Sequence, residues 1–245
     1  MRRIIPKFLR YYNRLEVKGI ENIPKRGSAI IAPNHSGGFD MDNFAIMSLF
    51  DFVKTNNPLR KRVWLCYWDK WAVEEPAWAP LVQQFSPIPV SLTGKGIPYT
   101  LVDKIVETGE LIAIMPEGHS ASIREGYRLW KFYPGVIKLH LRYKIPIIPT
   151  ACVGFIKAFP ILTNIYNPNV VPPWENEIMS QIFRPKKIII SLGKPMFFKD
   201  YYDTALTKKQ LFRLAAKVRT HVKNELSKFY KNISEQHPYG TKKLF

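Results

Sequence analysis

The chain has 245 residues, 46% of them apolar and 13% aromatic; that allows one domain with a substantial apolar core and excludes a disordered or low-complexity protein. Two cysteines exclude a disulfide scaffold, and five histidines with no HExxH and no paired CxxC give a metal site no support. Lysine and arginine outnumber aspartate and glutamate 37 to 19, a net charge of +18, so the expected partner is anionic: nucleic acid, a membrane surface or an acidic protein.

Residues 1–16 read as a basic amphipathic helix. Ile4, Phe8, Leu9, Tyr11, Tyr12 and Leu15 recur at helical spacing, and Arg2, Arg3, Lys7, Arg10 and Arg14 fill the gaps. Such a helix can lie in the headgroup boundary of an anionic bilayer, or simply pack on the domain. No run qualifies as a secretion signal or a membrane span. The longest greasy stretch, 145–166, carries Lys157 and is broken by Pro146, Pro149 and Pro160, whereas a span needs about 20 apolar residues.

From 17 to 205 short β-branched or apolar runs alternate with helical patterns. Strands are expected at 29–32, 63–67, 87–91, 111–115, 147–153 and 188–192, and helices at 40–53, 98–107 and 135–143. Residues 155–185 lack a clean period and read as an irregular excursion. The C-terminal region, 206–245, holds a basic amphipathic helix over 207–232, with an apolar stripe of Leu211, Leu214, Val218, Val222, Leu226 and Phe229, followed by a polar tail. The pattern predicts a single α/β domain: a central, mostly parallel sheet flanked by helices, with amphipathic helices at both termini. In such folds ligands gather where strand ends feed helices.

Two junctions of that kind carry chemistry. After the run at 29–32 comes Asn34-His35-Ser36-Gly37-Gly38-Phe39-Asp40. The glycines permit a tight turn, and Asp40 could accept the proton of one imidazole nitrogen, leaving the other as a base. His-x4-Asp alone arises often by chance, and a histidine in a turn is its commoner meaning. After the run at 111–115 comes Met115-Pro116-Glu117-Gly118-His119-Ser120, followed by Arg124, Arg128 and Lys131, which could hold a phosphate or form a solvated loop.

The order of these elements is more specific than any one of them. Val17-Lys18-Gly19-Ile20-Glu21-Asn22-Ile23-Pro24, then Asn-His-x4-Asp, then Pro-Glu-Gly, Phe132-Tyr133-Pro134-Gly135 and Ile145-Pro146-Ile147-Ile148-Pro149 together resemble the glycerolipid (lysophospholipid) acyltransferase family over residues 17–192. The resemblance implies His35 as general base and Asp40 as its orienting carboxylate, with Asn34, Gly38, Glu117, Gly118, Arg124 and Pro149 around the substrates. It implies a direct attack of a lipid hydroxyl on an acyl-CoA or acyl-carrier-protein thioester, with no acyl-enzyme, cofactor or metal. Lysophosphatidic acid is the leading acceptor by family weight. The enzyme would work in the cytoplasm, peripherally on the inner membrane face. Where the family follows Glu-Gly with Thr-Arg-Ser, this chain has His119-Ser120-Ala121-Ser122, and Ser86-Pro87-Ile88-Pro89-Val90-Ser91 carries serine in place of a phosphate-binding arginine. An acceptor phosphate would then fall to Arg124 or Lys95, or the acceptor would lack one.

Two other readings stand beside it. Gly118-His119-Ser120-Ala121-Ser122 nearly spells a nucleophile elbow, which would make Ser120 a hydrolase serine served by Asp203 and His221. The charge also suits a non-catalytic binder of anionic surfaces, although no nucleic-acid module is present and nucleic acid is not the expected partner. Cys66 and His140 read as structural, and His237, in the polar tail, is assigned no role.

Overall fold

A computed structural model describes residues 4–36, 40–51, 60, 62–91, 96–118, 120, 129–165, 176–179 and 183–230. Its strands, in chain order, are β1 (Glu16–Lys18), β2 (Ala29–Pro33), β3 (Val63–Trp68), β4 (Pro87–Val90), β5 (Leu111–Ala113), β6 (Ile147–Val153), β7 (Ile161–Ile165), β8 (Asn176–Met179) and β9 (Ile189–Leu192). The helices are α1 (Ile4–Tyr11), α2 (Met41–Met47), α3 (Ala79–Gln83), α4 (Tyr99–Glu107), α5 (Gly135–Tyr143), α6 (Phe155–Ala158) and α7 (Lys208–Ser227).

Seven strands form one sheet in the order β1-β9-β6-β2-β5-β3-β4. From β6 to β4 every pairing is parallel; β9 runs antiparallel to β6, and β1 pairs parallel to β9. The mostly parallel α/β sheet is therefore as the sequence predicts. β2 and β6 are buried at every position, because strands covered on both faces need apolar side chains on both.

Ile31, Leu65, Ala113 and Ile148 face α1, α2 and the α3 region, while Ile30, Ala32, Ile112 and Ala151 face α5 and α7. The outward path β2–β3–β4 carries its helices on the first face and the return path β4–β5–β6 carries α4 and α5 on the second, which gives all four crossovers one hand. The connections that leave the adjacent strands β2 and β5 go to opposite faces of the sheet, α2 to the first and α5 to the second. In such folds that divergence makes a crevice at the carboxyl ends of the two strands.

Differences from the expected elements have local causes. The helix expected over 40–53 keeps α-geometry only to Met47 and tightens into a 3₁₀ turn, Ser48–Asp51. β1 is three residues long, too short to show a period. The excursion at 155–185 holds α6 and the antiparallel β7–β8 pair, whose register shifts between Ile161 and Thr163 and so breaks the two-residue alternation. α7 opens on a capping box: Thr207 accepts from the Gln210 N–H, and the Gln210 side chain accepts from the Thr207 N–H. Gly19 has φ 71°, and a Cβ there would lie 2.1 Å from the Leu192 carbonyl oxygen, so the turn after β1 requires glycine.

Arg60 is one of several charged side chains buried among the described residues. It is 2% exposed, and its guanidinium donates to the carbonyls of Gly109 (3.0 Å), Pro24 (2.7 Å) and Gly27. Burial lowers its pKa, opposed by the nearby Glu110 carboxylate. It ties the turns before β2 to the one before β5.

Candidate active site

β2 ends on Pro33, which has no N–H to continue a ladder. The Asn34 side chain takes over: its Nδ2 donates to the Cys152 carbonyl (3.2 Å) and its Oδ1 accepts from the Cys152 N–H (2.7 Å). An amide side chain thus copies one more strand residue against β6 and fixes where the chain departs from the sheet. Asn34 was expected to contact substrate; the structure buries it and gives its amide to β6.

His35 follows at the crevice, its side chain 14% exposed. Its Nδ1 lies 2.9 Å from Asp42 Oδ2. The same oxygen accepts from the Ser36 N–H (2.9 Å), and Oδ1 accepts from the Asn43 N–H (2.9 Å). A carboxylate that accepts at both oxygens requires Nδ1 to carry the hydrogen, so the lone pair resides on Nε2.

The pairing expected from the sequence was with Asp40, and it is corrected here. Asp40 sits at the turn before α2 with φ 57°. Its carboxylate points to β3, where it accepts from Tyr67 Oη (2.5 Å), and it also accepts from Asn43 Nδ2 (2.5 Å). Trp78 Nε1 donates to the same Tyr67 oxygen (3.0 Å). Asp40 precedes α2 in a left-handed conformation whereas Asp42 lies in its first turn, so the two carboxylates face different ways, Asp40 toward Tyr67 and Asp42 toward His35 Nδ1. Burial raises the Asp40 pKa against the opposing charge of His35 and the Tyr67 hydrogen bond. Burial and the adjacent Asp40 push the Tyr67 phenol well up.

Glu117, after β5, is 3% exposed. Its Oε1 accepts from the His35 N–H (2.8 Å) and its Oε2 from the Trp130 N–H (2.7 Å). Burial pushes its pKa up to about 7, against the pull of those two N–H groups, of His35 and of Arg219. The unfolded carboxyl titrates near 4.5, so the folded state binds this proton more tightly. Its contribution to stability therefore falls as pH rises from about 4.5 through about 7. Glu117 was expected to shape the acceptor site directly; both its oxygens instead grip main chain, one of them that of His35. Gly118 has φ 62° and closes the turn from Met115, beside the exposed Tyr133 ring.

Pro149 lies within β6 opposite Ala32, its carbonyl accepting from the Gly193 N–H (2.8 Å). It is buried in the sheet interior, where the resemblance placed it near the acyl donor. Gly38 and Arg124 lie outside the described residues, as do Lys95, His119 and Arg128.

The hydrolase constellation is not assembled. Asp203 pairs with Lys144 (2.7 Å) at the surface, and the exposed His221 directs Nδ1 to the Lys217 carbonyl of its own helix (3.0 Å). His140 is structural: Nδ1 donates to the Ile145 carbonyl (2.6 Å), Nε2 accepts from the Phe198 N–H (3.0 Å), and burial lowers its pKa. Neither cysteine is an activated thiol. Burial raises Cys66 to about 12, and burial with the negative charges of Asp42 and Glu117 raises Cys152 well above the ordinary thiol range. Alkylation of the native protein at pH 8 should accordingly run at least ~10²-fold slower than that of a free cysteine, and reach that rate only after unfolding. Mass-spectrometric labelling rates check this.

Asp42, Tyr67, Trp78, Trp130 and Arg219 escaped the sequence reading. Asp42 had one available signal, its place in the first turn of a helix that begins just past the histidine; Trp130 and Arg219 had none.

A family model described as Acyltransferase matches residues 14–153, more than half of the chain. Among curated proteins, an uncharacterized protein of Mycobacterium tuberculosis (strain H37Rv) is 26% identical over 92% of this chain and 64% of its own length. An uncharacterized protein of Mycobacterium leprae (strain TN) is 28% identical over 91% and 63%. The chain thus spans just under two thirds of these relatives. Among solved structures, the 1-acyl-sn-glycerophosphate (LPA) acyltransferase PlsC from Thermotoga maritima superposes with a TM-score of 0.53 at 15% identity, over 89% of this chain and 78% of that one. At that identity the likeness is one of fold.

Proposed function

The chain belongs to the acyltransferase family, and from that premise we propose that it moves a fatty acyl group from an acyl-CoA or acyl-carrier-protein thioester to a glycerolipid hydroxyl, lysophosphatidic acid being the first acceptor to test. The observation that carries this reading is the His35–Asp42 pair at the carboxyl end of β2. With Nδ1–H held by Asp42, Nε2 of His35 removes the proton of the acceptor hydroxyl while that oxygen attacks the thioester carbonyl. The C–S bond then breaks, and the leaving thiolate takes the proton from the imidazolium. A thioester is already activated, so an oriented hydroxyl and a positioned base suffice, the base contributing about 10²–10⁴-fold.

The surface of the N-terminal region supports work at an anionic bilayer. α1 buries Ile5 and Leu9 but exposes Ile4 and Tyr11, together with Lys7 and Arg10. The exposed segment 183–187 is fastened beside it: Tyr12 Oη donates to the Phe183 carbonyl (3.0 Å), Asn13 Nδ2 to those of Arg184 and Lys186, and Arg14 to that of Pro185 (2.9 Å). Phe183, Arg184, Lys186 and Lys187 extend the same mixture of ring and cation. Such a face suits peripheral binding at the cytoplasmic leaflet. No helix among the described residues is long and apolar enough to cross a membrane.

The test is incubation of purified protein with radiolabelled acyl-CoA or acyl-carrier protein and a panel containing lysophosphatidic acid, other lysophospholipids and monoacylglycerol. Acyl transfer to one acceptor class is expected, with His35→Ala reducing it by about 10²–10⁴-fold. Transfer that survives in His35→Ala overturns the assigned base. A preference for monoacylglycerol would identify an acceptor without phosphate.

A further inference from the structure

Arg219 lies on α7, well beyond the segment that the family model matches. Its Nη2 donates to the Leu129 carbonyl (2.5 Å) and its Nε to the Trp130 carbonyl (2.8 Å). The Leu129 carbonyl and the Trp130 N–H are opposite edges of one planar peptide unit. That N–H donates to Glu117 Oε2, and Glu117 Oε1 accepts from the His35 N–H. A guanidinium on α7 therefore sets the tilt of a peptide plane whose far edge grips the carboxylate that holds the main chain of His35.

We infer that Arg219 is a positioning residue for the reaction centre, acting through the Leu129–Trp130 peptide and Glu117 on His35. The flat fork matches two successive carbonyls; a lysine ammonium would be a point charge without that geometry. The positive charge has a second effect, favouring ionised Glu117 against burial. Among the described residues, the charged and titratable groups that act on Glu117 or feel its charge are His35 from the loop after β2, Arg219 from α7 and Cys152 from β6. A protonated Glu117 accepts less well at the oxygen that carries the proton, so one of its two N–H partners loosens. Ionised Glu117 is the form that fastens His35.

The catalytic consequence rests on the acyl-transfer reading, but the network itself can be tested without substrate. Protein labelled with ¹³C at glutamate side-chain carboxyls is titrated by NMR, the Glu117 signal being identified by its loss in Glu117→Gln. Arg219→Gln should move the Glu117 midpoint up by about 0.5–1 pH unit, and Arg219→Lys should leave it nearly in place. The acidic limb of kcat should shift with the midpoint, while KM changes by less than about 3-fold, since the residue does not touch substrate. An unmoved Glu117 midpoint in Arg219→Gln overturns the inference, whether or not transfer is detected. Absence of transfer by the wild type sinks the functional reading alone. Should Arg219→Gln fail to fold, hydrogen exchange of the Trp130 amide in Arg219→Lys decides: roughly 10-fold faster exchange is expected from the lost fork, and an unchanged rate overturns the inference.

Discussion

Replacing Asp42 by asparagine should lower kcat for acyl transfer by about 10²–10⁴-fold, whereas the same change at Asp40 should cost less than about 10-fold. The two positions are two residues apart and both carry carboxylates, so the contrast isolates geometry from charge. Asp42 takes the Nδ1 hydrogen of His35 and leaves the lone pair on Nε2. An asparagine there can offer its own N–H to Nδ1, which moves the hydrogen to Nε2 and removes the base. The fold should survive, since with its N–H turned to His35 the amide keeps its oxygen for the Asn43 N–H that Asp42 Oδ1 now holds, and loses only the Ser36 N–H bond. Asparagine at position 40 keeps an acceptor for Tyr67 Oη and loses the bond from Asn43 Nδ2 and the more distant attraction of a carboxylate for the imidazolium. Initial rates at saturating acceptor, with thermal melts to show intact folding, measure both. A larger loss from Asp40→Asn than from Asp42→Asn would mean that the working pair is not the one in the structure.

Arg60→Ala should destabilise the protein by about 3–5 kcal/mol. The variant strips donors from the carbonyls of Gly109, Pro24 and Gly27 together. Each is a hydrogen bond to a charged group, worth about 1.5–3 kcal/mol, though the three share one side chain and do not add fully. The removed side chain also leaves a void where Arg60 is now 2% exposed. For a domain of this size 1 kcal/mol moves Tm by about 2–4 °C, so a fall of roughly 6–20 °C is expected. Arg60→Lys should recover only part of it, because an ammonium cannot serve three diverging carbonyls from one position. A melt within about 2 °C of wild type would show that these turns find other partners.

The helical stripe of Leu214, Val218 and Val222 and the doubly apolar runs at β2 and β6 announce their elements because periodicity records which face is buried. The β7–β8 pair does not, since a register shift erases the only signal a short strand carries. The site divides along the same line. His35 and Glu117 stand out as polar residues where apolar runs end, a position that α/β topology reserves for ligands. Asn34 stood out as well, yet its amide is given to Cys152, 118 residues away in the chain. That exchange is a matter of strand order, which no local pattern encodes.

By itself, then, the chain determined a layered α/β domain, a basic amphipathic start, and a histidine followed closely by carboxylates at a strand end. Side-chain spacing and turn residues specify these, and both are local. Tertiary structure decided which carboxylate serves the imidazole, because the turn into α2 directs Asp40 toward Tyr67 and the first turn of α2 directs Asp42 toward His35. It also decided that Glu117 would grip the main chain of His35 and that α7, far along the chain, would reach the same network through Arg219. Hydrogen-bond partners are chosen by direction and distance, and those exist only once the sheet has brought remote strand ends to one edge.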